Sequence, residues 1–223
     1  MADFDISTSG KSDCAIFTFG SYTNPGRTEP SYAFVNTILR LKKLGKIDID
    51  VYYFKAKKND WYLSGLSGER DFCSSIEFLN KLKSKYSKIA CAGNSMGGYA
   101  ALAFGSLIQA TKVEAFSPQT RFDNHFLSEI GEYRWKESLF NLAESVTDIG
   151  DYSIKSIIES NVEKSDCTIY YGEKCKQDSR YALELVNLEN VTLNKQQELD
   201  HDLVTNFRNS GKLDEVITGI FQN

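Results

Sequence analysis

The stretch "IACAGNSMGG" at residues 89–98 places a serine between glycines, directly after a short apolar run. The apolar residues at 89–92 are typical of a buried strand. The letters from Gly93 to Gly97 then form the pattern G-x-S-x-G, with Ser95 at its centre. Such a turn is either an ordinary glycine-rich connection or a sharp elbow that presents a nucleophilic serine. The segments on its two sides decide between these interpretations.

A strand is predicted over 88–93 and a helix with few polar residues over 97–110. A nucleophile held at a tight strand-to-helix turn needs small residues on both sides, because the two backbones crowd there. Gly93 and Gly97 occupy these positions. The context therefore favours Ser95 as a nucleophile over a serine in a purely structural turn.

The rest of the chain alternates between strand-like and helix-like segments, which predicts an α/β fold with a mostly parallel sheet flanked by helices. Residues 121–165 break this rhythm with aromatic and charged residues in short helical pieces, and we interpret them as an insertion or lid over the sheet's edge or active-site end. The length fits one domain, 1–223. Strands are predicted at 14–20, 49–56, 88–93, 112–118, 167–172 and 190–196, and helices at 31–45, 69–86, 97–110, 179–189 and in the tail, with a break at Ser210-Gly211.

Composition narrows the class of protein. With 41% hydrophobic residues, 25% charged residues and a net charge of -4, the chain lacks the basic surface of a nucleic-acid binder. The polar, acidic start of the chain does not resemble a secretory signal, and no apolar run approaches the ~18 residues of a membrane span. The chain has five cysteines, an odd number without the spacing of a disulfide framework: Cys14, Cys73, Cys91, Cys167 and Cys175. Three of them, Cys14, Cys91 and Cys167, begin apolar strand-like runs, and we interpret these as buried thiols in a reducing compartment, which predicts a cytoplasmic protein. The sequence leaves the oligomeric state open.

A serine hydroxyl needs a base to accept its proton, an acid to orient that base, and donors for the oxyanion. The base is nearly forced, because the chain has two histidines. His201 follows the last predicted strand, where the order serine, acid, histidine puts the base. His125 lies in the 121–165 segment, and we expect it to face solvent or substrate. His201 is the predicted base.

The acid has more candidates. Asp178 closes the loop "EKCKQD" after the strand 167–172 and precedes a helix, which is also an ordinary place for an aspartate. Its position between serine and histidine favours it as the triad acid. Glu173 and Asp123 remain alternatives on neighbouring loops. Asp200 and Asp202 flank His201 and are expected to point elsewhere.

Two backbone N–H groups are predicted to form the oxyanion hole. One is that of Met96, the residue after the nucleophile. The other comes from the loop after the first strand, through Ser21 or Tyr22, where Gly20 lets the backbone turn toward the site.

These motifs resemble those of the α/β-hydrolase superfamily. More narrowly, the chain is similar to bacterial hydrolase-like proteins found with enzymes of cell-surface polysaccharide biosynthesis. The resemblance spans roughly residues 14–218, and "GNSMGGYAALAFGSL" with the following "VEAFSPQT" carries it most specifically. Further matches are "WYLSGLSG" (61–68), "YYGE" to Asp178, and "HDLV" (201–204). It implies a triad of Ser95, Asp178 and His201.

The expected activity is that of a serine esterase or acyltransferase that forms an acyl-enzyme on a small-molecule or glycan ester, with no cofactor and no metal. Alternatives are a thioesterase for carrier-bound acyl chains, with a deep apolar channel under 121–165, and a non-catalytic binding module of the same fold. Four aromatic residues are candidates for lining an acceptor site, although core packing is the simpler explanation for each: Tyr22, Trp61, Tyr62 and Trp135.

Overall fold

A computed structural model of the protein describes residues 4–8, 11–23, 32–56, 58–66, 71–145, 152–161 and 163–222. Its centre is a seven-stranded sheet with the order β1-β3-β2-β4-β5-β6-β7. β1 runs antiparallel to β3, and the other neighbouring pairs are parallel, so the sheet is mostly parallel, as predicted. The strands are β1 (Phe4–Ser7), β2 (Cys14–Phe19), β3 (Asp50–Phe54), β4 (Lys88–Asn94), β5 (Lys112–Phe116), β6 (Asp166–Gly172) and β7 (Val191–Gln196).

Helices cover both faces of the sheet, since strands that are buried on both sides need an apolar cover on each. One core lies between the sheet and a layer that includes α2 and α3, and a second lies under α1, α8 and α9. The described helices are α1 (Val35–Lys43), α2 (Phe72–Lys83), α3 (Met96–Leu107), α4 (Asn124–Glu129), α5 (Lys136–Ser145), α6 (Ile154–Ser160), α7 (Lys176–Leu183), α8 (Leu203–Ser210) and α9 (Lys212–Gly219).

The strand order reverses at β2, which pairs with β3 on one side and with β4 on the other. In parallel sheets a ligand crevice forms at the carboxyl ends of the strands next to such a reversal. The loops that follow β2 and β4 meet there. This is the end of the sheet where the sequence predicts the functional residues.

The segment between β5 and β6 holds α4, α5 and α6, which agrees with the short helical pieces predicted over 121–165. Its apolar side chains pack into the same core as the sheet and α3, with Phe122 and Phe126 each 1% exposed. The segment is therefore built into the core on its inner side. Residues 146–151 and 162 lie outside the described part of the chain.

Several local predictions need correction. β1 was not predicted, because its four residues form a strand through antiparallel pairing with β3 rather than through a clear pattern of their own. The helix predicted at 179–189 begins at Lys176 and ends at Leu183. Cys91 and Cys167 are buried free thiols as predicted, whereas Cys14 is half-buried. Within the described residues, none of the helices combines the length and hydrophobicity needed to span a membrane.

Candidate active site

Ser95 occupies a strained turn between β4 and α3. Its backbone has φ 53° and ψ −120°, a conformation that side-chain-bearing residues rarely adopt. A Cβ at Gly93 would lie 1.9 Å from the carbonyl oxygen of Gly97, and one at Gly97 would lie 2.2 Å from that of Phe19. Glycine is thus required on both sides of the serine, which is the crowding expected of an elbow.

Three predicted side chains form one hydrogen-bonded chain at the carboxyl end of the sheet. His201 Nε2 lies 3.1 Å from Ser95 Oγ, and His201 Nδ1 lies 2.7 Å from Asp178 Oδ2. Ser95 follows β4, Asp178 follows β6 and His201 follows β7. The imidazole thus has one nitrogen toward the hydroxyl and the other toward the carboxylate, the arrangement a base needs in order to activate a serine.

The loop that carries His201 is held by hydrogen bonds to the His201 backbone, one of them from Ser117, which the sequence did not single out. Ser117 Oγ donates a hydrogen bond of 3.0 Å to the His201 carbonyl oxygen, and Asp200 Oδ1 accepts one of 2.7 Å from the His201 N–H. Gly172, at the end of β6, lets this loop pass closely, because a Cβ there would lie 2.5 Å from the carbonyl oxygens of Leu199 and Asp200. The position of the imidazole therefore depends on the ends of β5 and β6.

Asp178 lies in the first turn of α7 and is 1% exposed. Burial alone would raise the pKa of its carboxyl, but the hydrogen bond from His201 and the charges of His201 and Arg134 outweigh it, and the net pKa is lowered. Arg134 Nη1 lies 3.0 Å from Asp178 Oδ1, and the Cys175 thiol faces the same carboxylate. The carboxylate is therefore held in its charged form although it is buried.

The alternative base and acids do not join this chain. His125 is exposed on α4. Glu173 is exposed and pairs with Lys195 at 2.8 Å. Asp123 caps α4 through the N–H of Phe126 at 3.0 Å. Among the proposed alternatives, none lies within hydrogen-bonding distance of Ser95 or His201.

Asp200 and Asp202 have local roles beside His201. Asp200 accepts from the backbone N–H of His201, and Asp202 caps α8 by accepting from Thr205 N. Their carboxylates therefore serve the backbone of the loop, as expected from their flanking positions.

The predicted oxyanion donors lie on the loops that meet beside Ser95. Met96 is the first residue of α3, where helical N–H groups have no acceptor within the helix. Ser21 follows β2 and donates from its hydroxyl to the carbonyl oxygen of Asn94 at 2.9 Å. These positions suit the predicted donors, whose role stays a prediction.

The four aromatic candidates divide into two groups. Trp61 and Tyr62 are fully buried, with Trp61 Nε1 donating to Gln119 Oε1 at 2.8 Å, so they belong to the core and do not face an acceptor. Tyr22 and Trp135 are half-buried, and their ring centroids lie 6.2 Å apart. The Trp135 ring also lies 5.4 Å from that of His201, so Trp135 adjoins the site and Tyr22 lies next to Trp135.

One group of potential metal ligands exists among the described residues. Ligand atoms of Cys175, Asp178 and His201 all lie within 4.8 Å of one another. Arg134 Nη1 is 3.2 Å from Cys175 Sγ and 3.0 Å from Asp178 Oδ1. A guanidinium in contact with two of the three ligands opposes a bound cation, so this group fits a proton-handling network better than a metal centre.

The sheet with its strand-to-helix turn at Ser95 has the α/β-hydrolase fold. The capsule O-acetyltransferase of Neisseria meningitidis serogroup A is similar, with a TM-score of 0.68 and 15% identity over 94% of this chain and 89% of that one. Acetyl xylan esterase 1 from Thermoanaerobacterium sp. has a TM-score of 0.61 and 14% identity over 94% and 75%.

The fluorophosphonate-binding serine hydrolase F of Staphylococcus aureus has a TM-score of 0.61 and 14% identity over 93% of this chain and 84% of that one. The sequence itself matches no family model and no curated protein. At these identities the likeness establishes the fold, and the activity has to be argued from the site.

Proposed function

We propose that this protein is a serine esterase or O-acyltransferase that uses Ser95, His201 and Asp178 to move an acyl group through a covalent intermediate. The observation that carries this proposal is the continuous chain from Ser95 Oγ through both imidazole nitrogens to a buried carboxylate. A protein that only binds a partner has no need of a nucleophile, a base and an orienting acid in contact.

In the first half of the reaction, Ser95 Oγ attacks the carbonyl carbon of an ester while His201 Nε2 takes the hydroxyl proton. The N–H groups of Met96 and Ser21 stabilise the oxyanion of the tetrahedral intermediate. The intermediate collapses, the bond to the alcohol oxygen breaks, and His201 returns the proton to the departing alcohol. Asp178 stays ionised and stabilises the imidazolium while it exists.

In the second half, His201 takes a proton from water or from a sugar hydroxyl, whose oxygen attacks the carbonyl carbon of the acyl-enzyme. The bond between the acyl carbon and Ser95 Oγ then breaks, and His201 returns the proton to Ser95 Oγ. Water completes an ester hydrolysis, and a sugar hydroxyl completes an O-acyl transfer. Hydrolysis and O-acyl transfer use the same three residues, so the geometry of the site supports either reaction. Which of them occurs depends on whether water or a sugar hydroxyl binds beside His201.

An acylated carbohydrate is the proposed substrate class. The half-buried ring of Trp135 adjoins His201 and that of Tyr22 adjoins Trp135, and aromatic rings pack well on the apolar C–H faces of sugars. Two similar structures are named a capsule O-acetyltransferase and an acetyl xylan esterase. The resemblance to proteins of polysaccharide biosynthesis points the same way, and the free cysteines support a cytoplasmic location.

The test is labelling and turnover of the wild type, Ser95→Ala, His201→Ala and the double variant, with His125→Ala as the matched histidine control. A fluorophosphonate should label the wild type and not Ser95→Ala. Each single triad change should lower kcat on p-nitrophenyl acetate by ~10³-fold or more, and the double variant should be hardly worse, because the residues act as a unit.

A dead His125→Ala protein beside a fully active His201→Ala protein would overturn the assignment. A wild type that is neither labelled nor active on short esters and acyl-CoAs would favour the non-catalytic module. Preference for long acyl-thioesters over acetylated oligosaccharides would favour the thioesterase.

A further inference from the structure

Arg134 belongs to the stretch between α4 and α5, yet it reaches the triad acid after β6. Its Nη1 lies 3.0 Å from Asp178 Oδ1, and its Nε lies 2.9 Å from Glu132 Oε1. The side chains of Glu132 and Asp178 are fully buried, and that of Arg134 is 28% exposed. The guanidinium therefore bridges two buried carboxylates, one from its own segment and one from the site.

The two oxygens of Asp178 have separate partners. Oδ2 faces His201 Nδ1 at 2.7 Å, and Oδ1 faces Arg134. A carboxylate held at both oxygens cannot rotate about its bond to the chain, so its plane is fixed relative to the imidazole. Without Arg134, a buried carboxylate would lose a charged partner, a change that is costly for a desolvated ion.

Glu132 offsets the charge that Arg134 brings. One guanidinium between two carboxylates leaves the group with a net negative charge, the same as that of Asp178 alone. The imidazolium that forms when His201 accepts the serine proton thus still faces a negative group. Arg134 can orient Asp178 without removing its electrostatic effect on His201.

The next residue contacts the base itself. The Arg134 guanidinium lies 4.5 Å from the centroid of the Trp135 ring, and that ring lies 5.4 Å from the His201 ring. Two adjacent residues of one segment therefore touch the acid and the base of the site. Their docking depends on the packing of this segment, which is built into the core on its inner side.

We propose that Arg134 is a positioning residue, through which the segment between β5 and β6 holds the Asp178–His201 pair in its reactive geometry. This inference rests on the proposed function, in which that pair serves Ser95. The titratable and charged groups that face the pair are Glu132 and Arg134 from this segment and Cys175 and Tyr181 from the α7 region. Asp200 and Asp202 flank His201 in the chain, and their carboxylates accept from backbone N–H groups.

The experiment compares wild type, Arg134→Gln, Arg134→Lys and Glu132→Gln, with Arg180→Gln as the matched control. Arg180 is an exposed arginine on α7 that pairs with Glu129 and does not contact Asp178. Each protein is assayed for kcat and KM on p-nitrophenyl acetate across pH. The titration of the His201 ring is followed by NMR, with exposed His125 as the internal reference.

Arg134→Gln should lower kcat by roughly 10- to 100-fold with little change in KM, because the base is misplaced rather than the substrate unbound. It should also move the acid limb of the pH profile and the His201 titration upward, since a positive neighbour is lost. Glu132→Gln removes a negative neighbour and should move both downward. Arg134→Lys keeps the charge and should restore the pH profile and part of kcat.

A role limited to folding would not give pH shifts of opposite sign in the two neutral variants. Unchanged kcat and unchanged titration in Arg134→Gln would overturn the inference, as would shifts in the same direction for both. If Arg134→Gln does not fold, Glu132→Gln and Arg134→Lys still test it. If the titrations shift as stated but the wild type has no activity, the positioning role stands and the proposed function fails.

Discussion

Gly172→Ala is expected to displace His201 without altering any residue of the triad. A Cβ at this position would lie 2.5 Å from the carbonyl oxygens of Leu199 and Asp200, whereas such contacts are normally no closer than 3.0 to 3.4 Å. The loop must therefore retreat by about 0.5 to 0.9 Å. Gly172 cannot retreat easily instead, because it is paired with Gln196 of β7.

A movement of this size matters because His201 follows Asp200 directly. The Nε2–Oγ distance to Ser95 is 3.1 Å, so a retreat of the loop takes the pair beyond hydrogen-bonding range. A misplacement near 1 Å costs about 10²-fold in rate. We expect kcat/KM on p-nitrophenyl acetate to fall by roughly 10- to 100-fold in Gly172→Ala.

The assay is initial-rate kinetics, with urea unfolding of the same preparations. Gly219→Ala is the matched control, because an added Cβ in this part of α9 meets nothing within 4 Å, and it should keep the wild-type rate. A Gly172→Ala protein with both wild-type turnover and wild-type stability would refute the reasoning. A large loss of stability with normal turnover would mean that the sheet, rather than the loop, takes up the clash.

Three further outcomes are expected. Burial raises the pKa of Glu114 on β5 to about 7 from an ordinary 4.5. The contribution of its protonated carboxyl to stability is therefore complete below pH 4.5 and is lost as pH rises through 7, a decline of about 3 kcal/mol in the free energy of unfolding. Urea unfolding at pH 5 and pH 9 should show that Glu114→Gln removes this decline and that the exposed control Glu189→Gln does not. Trp61→Phe leaves Gln119 Oε1 buried without its donor and should lower the free energy of unfolding by about 1–3 kcal/mol. Activity should survive EDTA, and a loss restored by zinc would contradict a metal-free site.

The alternation of strands and helices was predictable because each element carries its own hydrophobic period. β4 and α3 are apolar along nearly their whole length and were instead predicted from the apolar runs on the two sides of the glycine–serine turn, and the predicted 88–93 and 97–110 lie close to the observed bounds. β1 was not predictable in this way, because Phe4 and its neighbours depend on pairing with a strand far along the chain. The complete burial of Trp61 and Tyr62 likewise follows from tertiary packing, which a sequence pattern does not reveal.

Ser95, Asp178 and His201 could be predicted from chain order, because the carboxyl ends of neighbouring parallel strands share one edge of the sheet. The same argument does not reach Arg134, whose segment lacks strand periodicity and whose approach to Asp178 depends on how that segment packs. The contact between Cys175 and Asp178 could have been predicted, since Cys175 lies three residues before Asp178, a spacing that puts side chains side by side on a helix.

The backbone of Ser95 has an evolutionary consequence. A non-glycine residue at φ 53° and ψ −120° costs of order 1–3 kcal/mol, whereas glycine visits the same conformation without that penalty. A lineage selected for stability alone would drift to glycine at this position, and only a need for the hydroxyl opposes that drift. In descendants that lose the activity, replacement of Ser95 by glycine is therefore the change in the site that stability opposes least.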